Sequence, residues 1–220
     1  MAIPLSKKIE SVLKFISNPK EFRALLSLRH TGYLIDVGWF NAFRKGEPID
    51  NTNQPIPWFT YPSIEFLSER LNKKLNVFEF GSGNSSLFFA KRVRRIISVE
   101  HNREWFDKIK NSLPDNSEIQ IVESNSFDQY LEPLKTIDEK FDIIIVDGIF
   151  RNECLVESIN HLTENGLVIL DDSERNEYNE GINYILHNNF KRLDFTGIAP
   201  GLLYTKSTSI FYKPENCLNI

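Results

Sequence analysis

Four acidic residues stand at the ends of short apolar runs in this 220-residue chain: Glu79 in Val77-Phe78-Glu79-Phe80, Glu100 after Ile96-Ile97-Ser98-Val99, Asp147 after Ile143-Ile144-Ile145-Val146 and Asp171 after Leu167-Val168-Ile169-Leu170. Chance placement would seldom put an acid at four such ends. Carboxylates there can accept from ribose hydroxyls, pair with a ligand ammonium, or ligate a metal ion. The first run breaks into Gly81-Ser82-Gly83-Asn84-Ser85-Ser86 and restarts as Leu87-Phe88-Phe89-Ala90. Gly81 permits a tight turn, and Gly83 lets the backbone approach a ligand without a Cβ in the way. Asn84, Ser85 and Ser86 offer capping side chains to the helix that follows. This is how a strand hands a nucleotide-like ligand to a helix N-terminus.

The elements that must position these acids alternate. Strands are expected at 76–80, 95–100, 118–122, 141–147 and 166–171, with helices at 86–92, 102–113, 127–134, 152–162 and 176–188 between and after them. Strands four and five are continuous apolar runs, as a parallel sheet covered on both faces requires. Residues 190–195 and 209–212 form two more strands around Gly197, Pro200 and Gly201 without an intervening helix, which predicts an antiparallel hairpin on the sheet edge. In an open parallel sheet the ligand sits outside the carboxyl ends of the strands, where the acids are.

Upstream, Ile9, Val12, Leu13 and Ile16 recur at helical spacing among Lys7, Lys8, Glu10 and Lys14. A second helix is expected over about 20–29, and Gly32–Phe40 is apolar and aromatic without a clear period. Residues 46–57 have loop composition, and a helix starts at Pro62-Ser63. The chain therefore divides into an extension, 1–57, outside the sheet and a sheet domain, 58–220. Trp58, Phe59 and Tyr61 either pack the core or line a pocket.

Net charge is −4, with +3 in residues 1–60. That balance argues against a nucleic-acid partner. Cys154 and Cys217 lack metal-ligand spacing. With no leader pattern and no apolar run of about 20 residues, a soluble, cytoplasmic protein without a membrane partner is expected. A homodimer is left open.

The pattern of acid, glycine turn, second acid at Glu100, Val-Asp-Gly after strand four, Leu-Asp-Asp after strand five and a trailing hairpin resembles the class I S-adenosylmethionine-dependent methyltransferases over about residues 60–213. The resemblance implies an α/β, Rossmann-like, doubly wound sheet of seven strands, mostly parallel, with an antiparallel C-terminal strand. It implies S-adenosyl-L-methionine as cofactor. Gly81, Ser82, Gly83 and Ser85 would lie along the cofactor's amino-acid part, with Glu79 near its ammonium or supporting the loop. Glu100 would accept the ribose hydroxyls, His101 would touch the cofactor rim, and Asn125 and Ser126 would contact adenine. The family's third glycine is Ser85 here, which removes one support. A dinucleotide site is the weaker alternative, because it needs Gly-x-Gly-x-x-Gly and would set Glu79 beside a pyrophosphate.

Asp147, Arg151, Asp171 and Asp172 are the candidates for a general base or for positioning the acceptor, and Asp147 would also contact the cofactor. Arg151 could grip an anionic acceptor, or pair with Glu153 or Glu174 at a helix start. Asp147 with Asp171-Asp172 also matches the places where metal-dependent O-methyltransferases of the catechol type hold Mg²⁺, although the surrounding residues differ from that subfamily; no metal ligand is assigned. The aromatic extension suggests a small, partly enclosed acceptor, with a hydroxyl as first expectation. A methyltransferase fold serving only as a binding or assembly protein stays open.

Overall fold

The computed structural model describes residues 4–220. The side chains of Ile9 and Ile16, two of the four apolar positions expected along the first helix, lie outside the described residues. Four helices precede the sheet domain: α1 (Leu5–Ser17), α2 (Pro19–Ser27), α3 (Tyr33–Asp36) and α4 (Trp39–Lys45). α2 starts at Pro19, with the Asn18 side chain accepting from the Glu21 N–H. The aromatic stretch that showed no period is therefore helical in two pieces. Gly38 separates them at φ 79°, where a Cβ would lie 2.2 Å from the backbone of Asp50 and Asn51. Two short helices turned against each other leave no run long enough to register a 3.6-residue period.

The sheet domain opens with α5 (Tyr61–Arg70) and then alternates: β1 (Asn76–Phe80), α6 (Asn84–Ala90), β2 (Arg95–Glu100), α7 (Arg103–Ile109), β3 (Ser117–Ile121), α8 (Phe127–Lys135), β4 (Phe141–Val146), α9 (Arg151–His161) and β5 (Leu162–Asp171). α10 (Asn179–His187) leads into the hairpin β6 (Lys191–Gly197) and β7 (Lys206–Tyr212). The seven strands run in the order β3-β2-β1-β4-β5-β7-β6. The first five are parallel, and β7 pairs antiparallel with both β5 and β6. The expected seven-stranded, mostly parallel sheet with an antiparallel hairpin is thus the observed one, with β7 inserted between β5 and the edge strand β6.

Alternate residues of the central strands feed two cores. Val77, Ile96, Ile143, Ile145, Leu167, Ile169 and Ile210 pack with Phe59, Leu67, Phe88 and Phe89 on one face. Phe78, Phe80, Ile97, Ile144, Val146, Val168 and Phe211 pack with Tyr130, Leu131, Leu155 and Ile182 on the other. Covering both faces explains the unbroken apolar runs of β4 and β5. Trp39 and Ile56 join the first core, so part of the extension is packed into the sheet domain.

Two strands begin three or more residues earlier than expected. β5 begins four residues earlier than Gly166, with a register shift against β4 between Phe141 and Ile143. At Gly166 a Cβ would stand 2.9 Å from the Leu162 Cβ, so the irregularity and the glycine go together. β7 begins at Lys206, three residues before Ser209. Lys206-Ser207-Thr208 has the composition of a loop, but burial on both sides makes it strand.

Candidate functional site

Chain order reverses between β1 and β4, the switch point at which open α/β sheets bind ligands. A cavity of about 720 Å³ opens there, bounded by the ends of β1, β2 and β4 and by α7. Gly81 and Ser82 come from the first turn, Glu100 and His101 from the second, Asp147 and Gly148 from the fourth, and Glu104, Trp105 and Lys108 from α7.

The first turn is built around Gly81, at φ 95°, where a Cβ would lie 3.0 Å from the backbone of Asp147 and Gly148. Gly81 N–H bonds the Val99 carbonyl at 2.9 Å and Asp147 N–H the Phe80 carbonyl at 2.9 Å, closing the turn onto its neighbours. Gly83 departs from expectation. Its missing Cβ faces the Trp105 indole, whose Nε1 would be 3.2 Å away, so close packing inside the protein is a second reason for this glycine beside access for a ligand. The indole N–H donates to the Ser82 carbonyl at 2.6 Å. Capping of α6 falls to Ser86, whose Oγ accepts from Gly83 N–H at 3.1 Å. Asn84 instead donates to the Pro48 carbonyl, and Ser85 is buried in the helix.

Glu79 lies fully buried beneath this turn. One oxygen, Oε2, accepts from Ser86 Oγ at 2.5 Å and Ser98 Oγ at 2.7 Å, while Oε1 has no hydrogen-bond partner among the described residues. Burial pushes its pKa up to about 7, against the opposing pull of the serine hydroxyls. Glu79 supports the loop and does not line the cavity.

Glu100 is held differently. Its Oε2 accepts from Ser82 N–H at 3.0 Å and Ser82 Oγ at 2.8 Å; its Oε1 accepts from the N–H groups of His101 at 2.9 Å and Asn102 at 2.8 Å. Four donors match the four lone-pair sites of a carboxylate. His101 Nδ1 is 3.2 Å from Oε1, with its ring exposed at the cavity wall.

Across the cavity, Asp147 is the one catalytic candidate that lines it. Arg151 lies behind it, pairing with Asp147 Oδ1 at 3.0 Å and Asp172 Oδ2 at 3.4 Å and donating to the carbonyls of Gly148, Asp147 and Asp171. With its donors so used, Arg151 is not available to grip an acceptor, and its partners are neither Glu153 nor Glu174. The β4–α9 turn it stabilises holds Phe150 at φ 52°, a left-handed conformation uncommon for an aromatic residue.

Asp171 and Asp172 are buried away from the cavity. Lys206, itself 4% exposed, bonds Asp171 Oδ2 and, at 2.7 Å, Asp172 Oδ1. Thr208 Oγ1 donates to Asp171 Oδ1 at 2.8 Å, and Arg175 pairs with Asp172 Oδ2 at 2.7 Å. Burial raises the pKa of Asp147 and of Asp171; for Asp172, burial is outweighed by Lys206, Arg151 and Arg175, which hold it below the usual carboxylate range. The place a divalent cation would take between these acids is filled by an ammonium and two guanidinium groups. No group of three or more acidic, His or Cys side chains suited to a metal ion occurs among the described residues. The donor set therefore does not fit the Mg²⁺ site of the catechol type.

Asn125 and Ser126 lie on the exposed loop after β3 and do not line the cavity. Sequence reasoning missed Trp105 and Lys206. Trp105 follows Glu100 by five residues on the next helix, a usable signal; Lys206 is an isolated lysine opening a Ser/Thr-rich stretch and carried none. Of the earlier aromatics, Phe59 and Tyr61 are core, and half-buried Trp58 stacks on Trp105 with ring centroids 6.3 Å apart.

No protein-family model matches the chain, and no curated protein matches its sequence. Solved structures do match in fold. A precorrin-6y C5,15-methyltransferase from Geobacter metallireducens aligns over 68% of this chain and 86% of its own, with a TM-score of 0.52 at 16% identity. The precorrin 8w decarboxylase of Methanobacterium thermoautotrophicum covers 76% of this chain and 97% of its own, TM-score 0.52, 19% identity. The tRNA (m1A58) methyltransferase TrmI of Aquifex aeolicus covers 71% and 70%, TM-score 0.51, 16% identity. The fold is that of the class I S-adenosylmethionine-dependent methyltransferases. At such identities the likeness speaks for the architecture alone.

Proposed function

We propose that this chain is an enzyme that transfers a methyl group from S-adenosyl-L-methionine to a small acceptor, first of all a hydroxyl. The observation that carries the proposal is the charge of the cleft at the glycine turn: Glu100, Glu104 and Asp147 line it against a single lysine, Lys108. A cofactor bearing an ammonium and a sulfonium suits that wall; a pyrophosphate or a nucleic-acid backbone does not.

The cofactor supplies an electrophilic methyl with its leaving group built in. The chain's own part is to bind, orient and exclude water, for which holding reactants in line supplies effective molarities up to about 10⁵–10⁸ M. Glu100 accepts a ribose hydroxyl once the Ser82 hydroxyl rotates away from Oε2, leaving the three backbone N–H groups to hold the carboxylate. Gly81, Ser82 and Gly83 line the amino-acid part, and His101 and Trp105 form the rim. Asn125 and Ser126 remain the proposed adenine contacts, reached from the β3 side. Asp147, with its raised pKa, holds the ligand ammonium or takes the acceptor's proton.

Enclosure is supported by the segment 47–58, which is tied to the cleft walls. Glu47 pairs with Lys108 at 2.8 Å, Pro48 accepts from Asn84 at 2.7 Å, and Trp58 covers Trp105. Such a roof favours a small acceptor over a polymer. Calorimetric titration with S-adenosyl-L-methionine tests the reading: saturable binding is expected, and no heat at millimolar cofactor would end it.

A further inference from the structure

Helices α1 and α2 present apolar side chains that no other described residue covers. Val12 is 55% exposed, Leu13 61%, Phe22 45% and Leu26 45%, and α2 buries no residue. Phe22, Leu25 and Leu26 fall at i, i+3 and i+4, one face of α2. Basic residues share these helices: residues 4–31 carry six Lys/Arg against two Asp/Glu, a local charge of +4 that leaves −8 for the rest of the chain. All six basic residues are exposed. At the C-terminal end of α2 a groove of about 550 Å³ combines Arg29, His30 and Arg44 with the apolar Leu26, Leu34 and Phe40.

We propose that helices α1 and α2 form a peripheral docking surface for an anionic lipid bilayer, with lipid phosphates received by the groove at Arg29 and Arg44. Helices that lie in a membrane interface have an exposed apolar side bordered by Lys and Arg, and need no span of 20 apolar residues. Among the described residues no helix is long and apolar enough to cross a membrane. Charge selects the occupant. A two-fold pairing through α1 and α2 would bury the same patch on both copies and set +4 against +4. An anionic bilayer offers hydrocarbon to the leucines and phosphates to the basic residues at once. This inference is independent of the methyltransfer reading, because no residue of the cleft takes part.

Flotation of the full chain with vesicles tests it. Phosphatidylcholine vesicles with about 30% phosphatidylserine should carry the protein at low salt, and pure phosphatidylcholine should carry at least tenfold less. Raising salt to about 0.5 M should release much of it, since the attraction is screened over a few ångströms. Leu13→Glu/Leu25→Glu should abolish flotation, and Arg29→Gln/Arg44→Gln should weaken it by about fivefold per charge lost. Circular dichroism should show both variants folded; both replace exposed side chains, and an unfolded variant would be replaced by Leu25→Ser. Equal flotation with neutral and anionic vesicles, or none with either, would overturn the proposal. So would a wild-type dimer in sedimentation that Leu13→Glu/Leu25→Glu converts to monomer, because the apolar face would then belong to a second copy.

Discussion

Two halves of the sheet end in carboxylates and treat them in opposite ways. At β2, Glu100 is held by backbone N–H groups and one serine hydroxyl, and among the described residues no lysine or arginine lies within pairing distance. At β5, Asp171 and Asp172 are locked to Lys206, Arg151 and Arg175. Neutral donors orient a carboxylate and leave its charge to attract a cationic ligand. Buried cations cancel it and turn the acids into structure. Asp147 stands at the border, facing the cavity on one side and Arg151 on the other. An acid at a strand end is thus a binding group or a fastening according to what packs behind it.

The comparison predicts its largest effect in the locked half. Lys206→Met leaves two buried carboxylates without their shared partner and should lower unfolding stability by about 3–5 kcal/mol, read from urea denaturation. If the loss is small, the β5 cluster is solvated and the contrast with Glu100 fails. Glu79 tests the open half next. Its pKa in the folded chain is raised to about 7 from an ordinary 4.5, so the folded state binds the extra proton. Its contribution to stability is full below pH 4.5 and is lost as pH rises through 7, in all roughly 3 kcal/mol. Glu79→Gln keeps acceptors for Ser86 and Ser98 and removes that dependence. The variant should be the more stable of the two at pH 8, by thermal unfolding across pH, with the difference vanishing near pH 4.

Glu100→Ala sharpens the functional side. Losing charged hydrogen bonds to ribose should weaken cofactor binding by about 10–100-fold in calorimetry. Binding equal to wild type would remove the ribose assignment. The smallest effect expected is none at all: adding a chelator should leave turnover unchanged, because Lys206 occupies the space a cation would need.

Much of the architecture is legible in the sequence. Apolar runs such as Ile143–Val146 announce a strand covered on both faces, and Gly81 announces a turn, because these signals are local. Where local pattern was weak, reading faltered. α3 and α4 span four and seven residues about Gly38, too short for a period to show. β7 opens on Lys206, Ser207 and Thr208, whose polar side chains are buried only because β5 and β6 flank them.

The candidate site divides in the same way. Sequence alone determined the sheet, the glycine turn and the acids at the strand ends, since a parallel α/β chain places such residues on one edge whatever their partners. Tertiary structure alone decided which acids remain free. Lys206 meets Asp171 across 35 positions of sequence, and Trp105 takes the space beside Gly83 from a different helix. Such encounters depend on the inserted strand and on helix packing, and no spacing in the chain encodes them. The feature that distinguishes a ligand-binding carboxylate from a structural one is the charge packed behind it, a property of the fold.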